Sequence, residues 1–184
     1  MIKQKFVVGL CSSYSLFMVV IMIYYYLQAD SFKALVAVAG IVCGLIPLLL
    51  RIRFNKPLII SYLLFLFASQ YLGSIRGWYS LGYWDTILHF LSGVLLAFVG
   101  IALYEHFISQ AVAVLISPLF SFLFIFAFAT LGGVIWEIYE FSADELFHLT
   151  LQGGGNRDTM IDLIADAAGG FFIGLVYSIV RRSR

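Results

Sequence analysis

The sequence predicts an all-α, polytopic membrane protein: one transmembrane helical bundle of six spans, with both termini cytoplasmic. Three observations carry that expectation. Hydrophobic residues make up 62% of the 184-residue chain and charged residues only 11%, against roughly 25% charged in soluble domains. Six separate stretches are apolar over nearly the ~20 residues that a bilayer crossing needs. The links between them are short, and most carry charge, glycine or proline.

The spans are expected at about 6–27, 34–50, 57–75, 86–104, 114–136 and 160–180. The first begins after a charged start, but its apolar run exceeds a signal-peptide h-region and no small-residue cleavage site follows. It reads as a retained span. Residues 51–57 (RIRFNKP) form a basic turn, with Pro57 suited to the first turn of the next helix. Residues 76–84 (RGWYSLGYW) have the glycine and aromatic content of an interfacial loop. Residues 105–113 are moderately polar and are expected along the interface, and 150–157 (TLQGGGNR) form a Gly-rich loop. No internal repeat is evident, so residues 1–184 are read as a single integral membrane domain.

Lys and Arg set the orientation. Lys3, Lys5, Arg51, Arg53, Lys56, Arg181, Arg182 and Arg184 fall on one side, and Lys33, Arg76 and Arg157 on the other. The richer side is cytoplasmic by this rule. A net charge of +1 and the lack of a basic stripe exclude nucleic acid as a partner. Cys11 and Cys43 both lie within predicted spans and read as small buried hydrophobes.

The acids sort the opposite way. Only Glu105 of the ten lies on the cytoplasmic side. Carboxylates in or near a span are costly and usually functional, and three motifs concentrate them. In the first, Asp85 starts the fourth helix and His89, four residues on, shares its face. Gly93 continues that face and suits close helix packing. In the second, Glu137, Glu140 and Asp144 form an acidic stripe at the outer end of the fifth helix. Like charges so placed need a cation, a basic partner or protons. Glu145 and His148 read as solvated end and loop residues. In the third, Asp158, Asp162 and Asp166 line one face of the sixth helix and descend into the membrane. At 1.5 Å rise per residue, Asp166 lies about 12 Å below Asp158.

Carboxylates with one imidazole suit a divalent cation: Mg²⁺, Mn²⁺ or Ca²⁺ by the oxygens, Zn²⁺ or Fe²⁺ once the imidazole is included. The expected ligands are Asp85, His89, Glu137, Glu140, Asp158 and Asp162. His89, Glu140 and Asp162 are the expected catalytic residues, and Arg76 and Arg157 the expected contacts for an anionic head group or phosphate. Neither HExxH nor paired ExxH helices occur.

In this order, the motifs resemble the YjdF-like family of bacterial inner-membrane proteins. Asp85, His89, Phe90 and Gly93 match its first element, Glu137 and Glu140 its second, and Asp158, Thr159 and Asp162 its third. The resemblance covers about residues 83–175. Thr86 stands where the pattern has Lys, Phe141 and Arg157 where it has Trp, and Gly155 where it has an acid. Asp166 lies outside the pattern. The Asp-x-x-x-His-Phe element alone is more faintly similar to VanZ-like membrane proteins. The resemblance implies a bacterial inner membrane and a multi-pass fold, and no reaction.

Three functions fit these residues. One is a metal-dependent enzyme on an anionic lipid or lipid-linked phosphate at the outer leaflet. Another is an ion- or proton-coupled transporter or channel, with Asp162 and Asp166 as a relay; the chain is short for that unless it forms an oligomer. The third is a non-catalytic accessory protein whose polar residues join helices.

Overall fold

The computed structural model describes residues 4–49, 56–148, 150–153 and 155–182. Lys3, Arg51, Arg53, Gly154 and Arg184 lie outside the described residues. All regular structure among the described residues is helical. Six helices are long and apolar enough to cross a membrane. Their outward side chains, such as Leu16, Leu35 and Ile164, are exposed, which suits a hydrocarbon solvent once each backbone group is bonded within its own helix.

Contacts divide the chain into two compact units, Met1–Trp84 and Asp85–Arg184. The first holds α1 (Gln4–Leu27), α2 (Ser31–Leu49) and α3 (Lys56–Leu66). Asp30 caps α2: its Oδ1 accepts from the Lys33 backbone N–H at 3.1 Å, and its Oδ2 pairs with Lys33 Nζ at 3.1 Å. That N–H first, and then the Lys33 ammonium, hold the Asp30 carboxyl below its usual range. The buried face of α2 is Ala34, Ala37, Gly40, Gly44 and Pro47. These small residues let Met18 approach at Gly40, and Tyr14 and Ser15 at Gly44.

α3 passes without a break into a π-helical segment, Phe67–Ile75. Its wider turn is visible where Arg76 N bonds Tyr71 O at 2.8 Å. The Ala68 carbonyl accepts from the indole N–H of buried Trp84 at 3.2 Å. The loop expected after this span is a short 3₁₀ turn, Trp78–Leu81, flanked by Gly77 (φ 75°) and Gly82 (φ 73°). Both flanks need the left-handed backbone that glycine tolerates.

The second unit holds α4 (Trp84–Phe107), a short α5 (Gln110–Ala113), α6 (Pro118–Phe147) and α7 (Asn156–Arg182). The fourth, fifth and sixth spans are thus α4, α6 and α7. Ser117 caps α6 by accepting from Phe120 N at 3.1 Å, with Pro118 in the first turn. α6 does not stop at Trp136, where the apolar run ends. It continues through the acidic stripe to Phe147 and closes at His148 in the left-handed conformation. Its 30 residues span about 45 Å, more than the ~30 Å hydrocarbon core, so the acidic turns extend the helix beyond the span. Ala97, Ile101, Ile125 and Ala129 form the core of this unit.

Arg181 turns inward near the end of α7. It donates to Tyr104 OH at 2.5 Å and to Ile116 O at 3.4 Å, and also bonds Ser121 Oγ and Ala113 O. Its guanidinium stacks over the Tyr104 ring, 5.2 Å from the centroid. A residue counted in the sequence as a basic anchor therefore also ties α7 to α4 and to the link before α6.

Candidate functional site

The start of α4, the late turns of α6 and the early turns of α7 bring their polar residues together inside the second unit. Asp85 sits in the first turn of α4, and His89 follows one turn on, so both side chains leave the same face. Asp162 and Asp166 are likewise one turn apart on α7. Asp85, His89 and Asp162 each offer a ligand atom, and these atoms lie within 4.8 Å of one another. His89 and Asp162 are buried, at 5% and 2% exposed. Glu137 comes from α6, with its Oε1 3.7 Å from His89 Nε2. Fully buried Asp166 reaches the other ring nitrogen, with its Oδ2 2.9 Å from Nδ1.

Glycine allows this convergence. A Cβ at Gly133 on α6 would lie 2.5 Å from Asp166 Oδ2, and one at Gly93 on α4 would overlap the Asp166 backbone. A Cβ at Gly169 would collide with the Phe90 carbonyl. The close helix contact expected at Gly93 is therefore made, against Asp166.

The profile of a family described as "Predicted membrane protein (DUF2238)" matches residues 8–183. The chain belongs to this family. No curated protein and no solved structure matches it.

The DUF2238 description places the chain in a lipid bilayer and names no reaction, so chemistry must be read from the cluster. Four carboxylates and one imidazole share a poorly solvated volume, where unpaired charge is costly. Among the described residues, no Lys or Arg forms an ion pair with any of the four. Glu137 Oε1 and Asp162 Oδ1 are buried without a hydrogen-bond partner among the described residues. Buried polar atoms in that state call for an ion or a proton.

The donor set fits a divalent cation. Ligands on opposite sides of a cation bonded at about 2.4 Å lie up to about 4.8 Å apart, and the three converging atoms satisfy that limit. Two carboxylates with one imidazole, from Asp85, Asp162 and His89, match the hard-to-borderline ions, from Mg²⁺ and Mn²⁺ to Zn²⁺; Glu137 stands beside His89, outside that group.

Other expected residues lie differently. Half-buried Glu140, one turn beyond Glu137, accepts from Trp136 Nε1 at 2.8 Å and is not one of the three converging residues. Asp158, in the first turn of α7, is also outside that group. Exposed Arg157 makes no ion pair among the described residues. Arg76 ends the π segment of the first unit. Asp144 turns back to the loop and accepts from Leu151 N at 2.7 Å and Gln152 N at 2.9 Å. It holds the α6–α7 connection.

Sequence reasoning left Asp166 out of the ligand set and did not consider Ser92. Ser92 Oγ lies 2.8 Å from the His89 carbonyl oxygen and also bonds Asp166 Oδ1. The signal for Ser92 was its position three residues after His89, on the same face. Beside Glu137 opens a cleft of about 400 Å³ between α6 and α7. Gln152, Asn156 and Thr159 make part of its wall polar, and Val134 and Ile138 make part of it apolar.

Proposed function

We propose that α4, α6 and α7 hold a divalent cation between Asp85, His89, Glu137 and Asp162. On this reading the protein is a metal-dependent enzyme acting on an anionic lipid or lipid-linked phosphate at the outer face of the bacterial inner membrane, with both termini cytoplasmic. The observation that carries the proposal is the two buried oxygens left without a hydrogen bond, Glu137 Oε1 and Asp162 Oδ1, beside an imidazole and a third carboxylate. Neutral helix-joining residues would have satisfied one another. The YjdF-like resemblance supports the same residues and the bacterial membrane, and the VanZ-like likeness touches only Asp85 and His89.

A bound cation supplies a water of lowered pKa and a Lewis acid for a phosphoryl oxygen. The side chains do the rest. Glu140, oriented by the Trp136 indole, is the general acid–base group. Asp158, in the first turn of α7 and one turn from Asp162, adds a further carboxylate to the same helix. Arg157, exposed in the first turn of α7, binds the phosphate at a helix N-terminus. The mixed lining of the cleft suits an amphiphile, with its head at Asn156 and Thr159 and its chain along Val134 and Ile138.

The test is phosphate release from phosphatidic acid and from a polyprenyl diphosphate by protein in nanodiscs. EDTA abolishes release, Mn²⁺ restores it, and Glu140→Gln lowers it about 10²-fold or more. Hydrolysis indifferent to chelation and to His89→Ala contradicts the proposal. Cation or proton flux into liposomes without hydrolysis moves the site to the transport reading.

A further inference from the structure

We propose that Asp166 is a positioning residue that fixes the tautomer of His89, keeping the proton on Nδ1 and directing the free lone pair of Nε2 toward Glu137 and the converging carboxylates. Asp166 is 0% exposed. Its Oδ2 is 2.9 Å from His89 Nδ1, while the Ser92 hydroxyl reaches Oδ1. As a carboxylate Asp166 is acceptor-only, and each of its oxygens then meets one donor, the ring N–H and the Ser92 O–H, whose single proton is shared with the His89 carbonyl oxygen at 2.8 Å. The other ring nitrogen faces Glu137 Oε1 at 3.7 Å, an acceptor left without a hydrogen bond.

The two nitrogens are therefore unequal. A carboxylate behind a metal-binding imidazole sets the tautomer, the ring orientation and the basicity of the ligand. The packing holds Asp166 in that place, since Gly133 leaves room for its carboxylate and Gly93 for its backbone. Asp166 touches neither the cation nor a substrate in this account and acts only through His89. The tautomer claim stands without a metal; its consequence for affinity rests on the cation site proposed above.

The test uses ¹⁵N-histidine-labelled protein in nanodiscs. The chain has three histidines, so His106→Gln and His148→Gln leave His89 as the lone imidazole signal. In metal-free protein, at a pH where the ring is neutral, the spectrum is expected to show Nδ1 protonated and Nε2 bare. Asp166→Leu, nearly isosteric, removes the acceptor from Nδ1 and should move the ring proton to Nε2, beside the Glu137 carboxyl oxygen. A wild-type ring protonated on Nε2 overturns the proposal, as does an Asp166→Leu ring still protonated on Nδ1. If Asp166→Leu does not fold, the wild-type spectrum decides alone. In a second arm, Mn²⁺ affinity should fall 10–100-fold in Asp166→Leu. Wild-type protein with the expected tautomer and no Mn²⁺ binding removes the cation site and leaves the tautomer assignment standing. A stability loss with unchanged tautomer makes Asp166 structural.

Discussion

At Gly133 the site and the packing meet in a single atom. A methyl group there would stand 2.5 Å from Asp166 Oδ2, 2.7 Å from its Cγ and 2.8 Å from its Cβ, so the fully buried Asp166 side chain would have to shift. Gly133→Ala is expected to destabilise the protein by about 1–3 kcal/mol, seen as a lower unfolding temperature in detergent. Unchanged stability would show that α6 and α7 lie farther apart than described. At this scale the sequence was informative where spacing along one helix decides the outcome. Asp85 with His89, and Asp162 with Asp166, are each four apart, and the 3.6-residue turn puts each pair on one face. It was uninformative where register between helices decides. Nothing in the chain's order says that Asp166 meets Nδ1 while Glu137 meets Nε2. Glu140 and Asp144 belong to the same stripe as Glu137, yet a tryptophan four residues earlier engages one and a loop backbone the other.

At the scale of elements, hydropathy located all six membrane helices, because a run of ~20 apolar residues has few other stable solutions. Helix ends were less legible. Glu137, Glu140, Asp144 and Glu145 end the apolar run, but glutamate is a good helix former, and α6 continues through them to Phe147. The π-helical segment Phe67–Ile75 gave no sequence signal either. Nor did the inward turn of Arg181, whose terminal position reads as a cytoplasmic charge. Its bonds to Tyr104, Ser121, Ala113 and Ile116 hold the end of α7. Arg181→Ala is expected to cost about 1–3 kcal/mol and to speed amide exchange in the last turns of α7. Exchange unchanged there would mean that packing alone anchors the helix.

For the whole molecule, the central claim is that three helices of one bundle end gather carboxylates around an imidazole in order to hold a cation. The alternation of helix direction makes that gathering legible: the start of α4, the end of α6 and the start of α7 fall on one side when consecutive spans run up and down. The convergence of Asp85 and His89 of α4 with Asp162 of α7 within 4.8 Å, with Glu137 of α6 beside His89, is the geometric form of an asymmetry already present in where the acids lie. Cation binding also links to stability. At a free concentration one hundred times Kd, a site present only in the folded state contributes about 2.7 kcal/mol, so chelation should lower the unfolding temperature of protein purified with its ion. The most direct measurement is the stoichiometry of Mn²⁺ bound to protein in nanodiscs, followed by electron paramagnetic resonance and compared with Asp162→Asn. The account predicts one ion per chain in the wild type, and binding lost in a variant that still folds. Equal binding in both, or no binding in either, would contradict it.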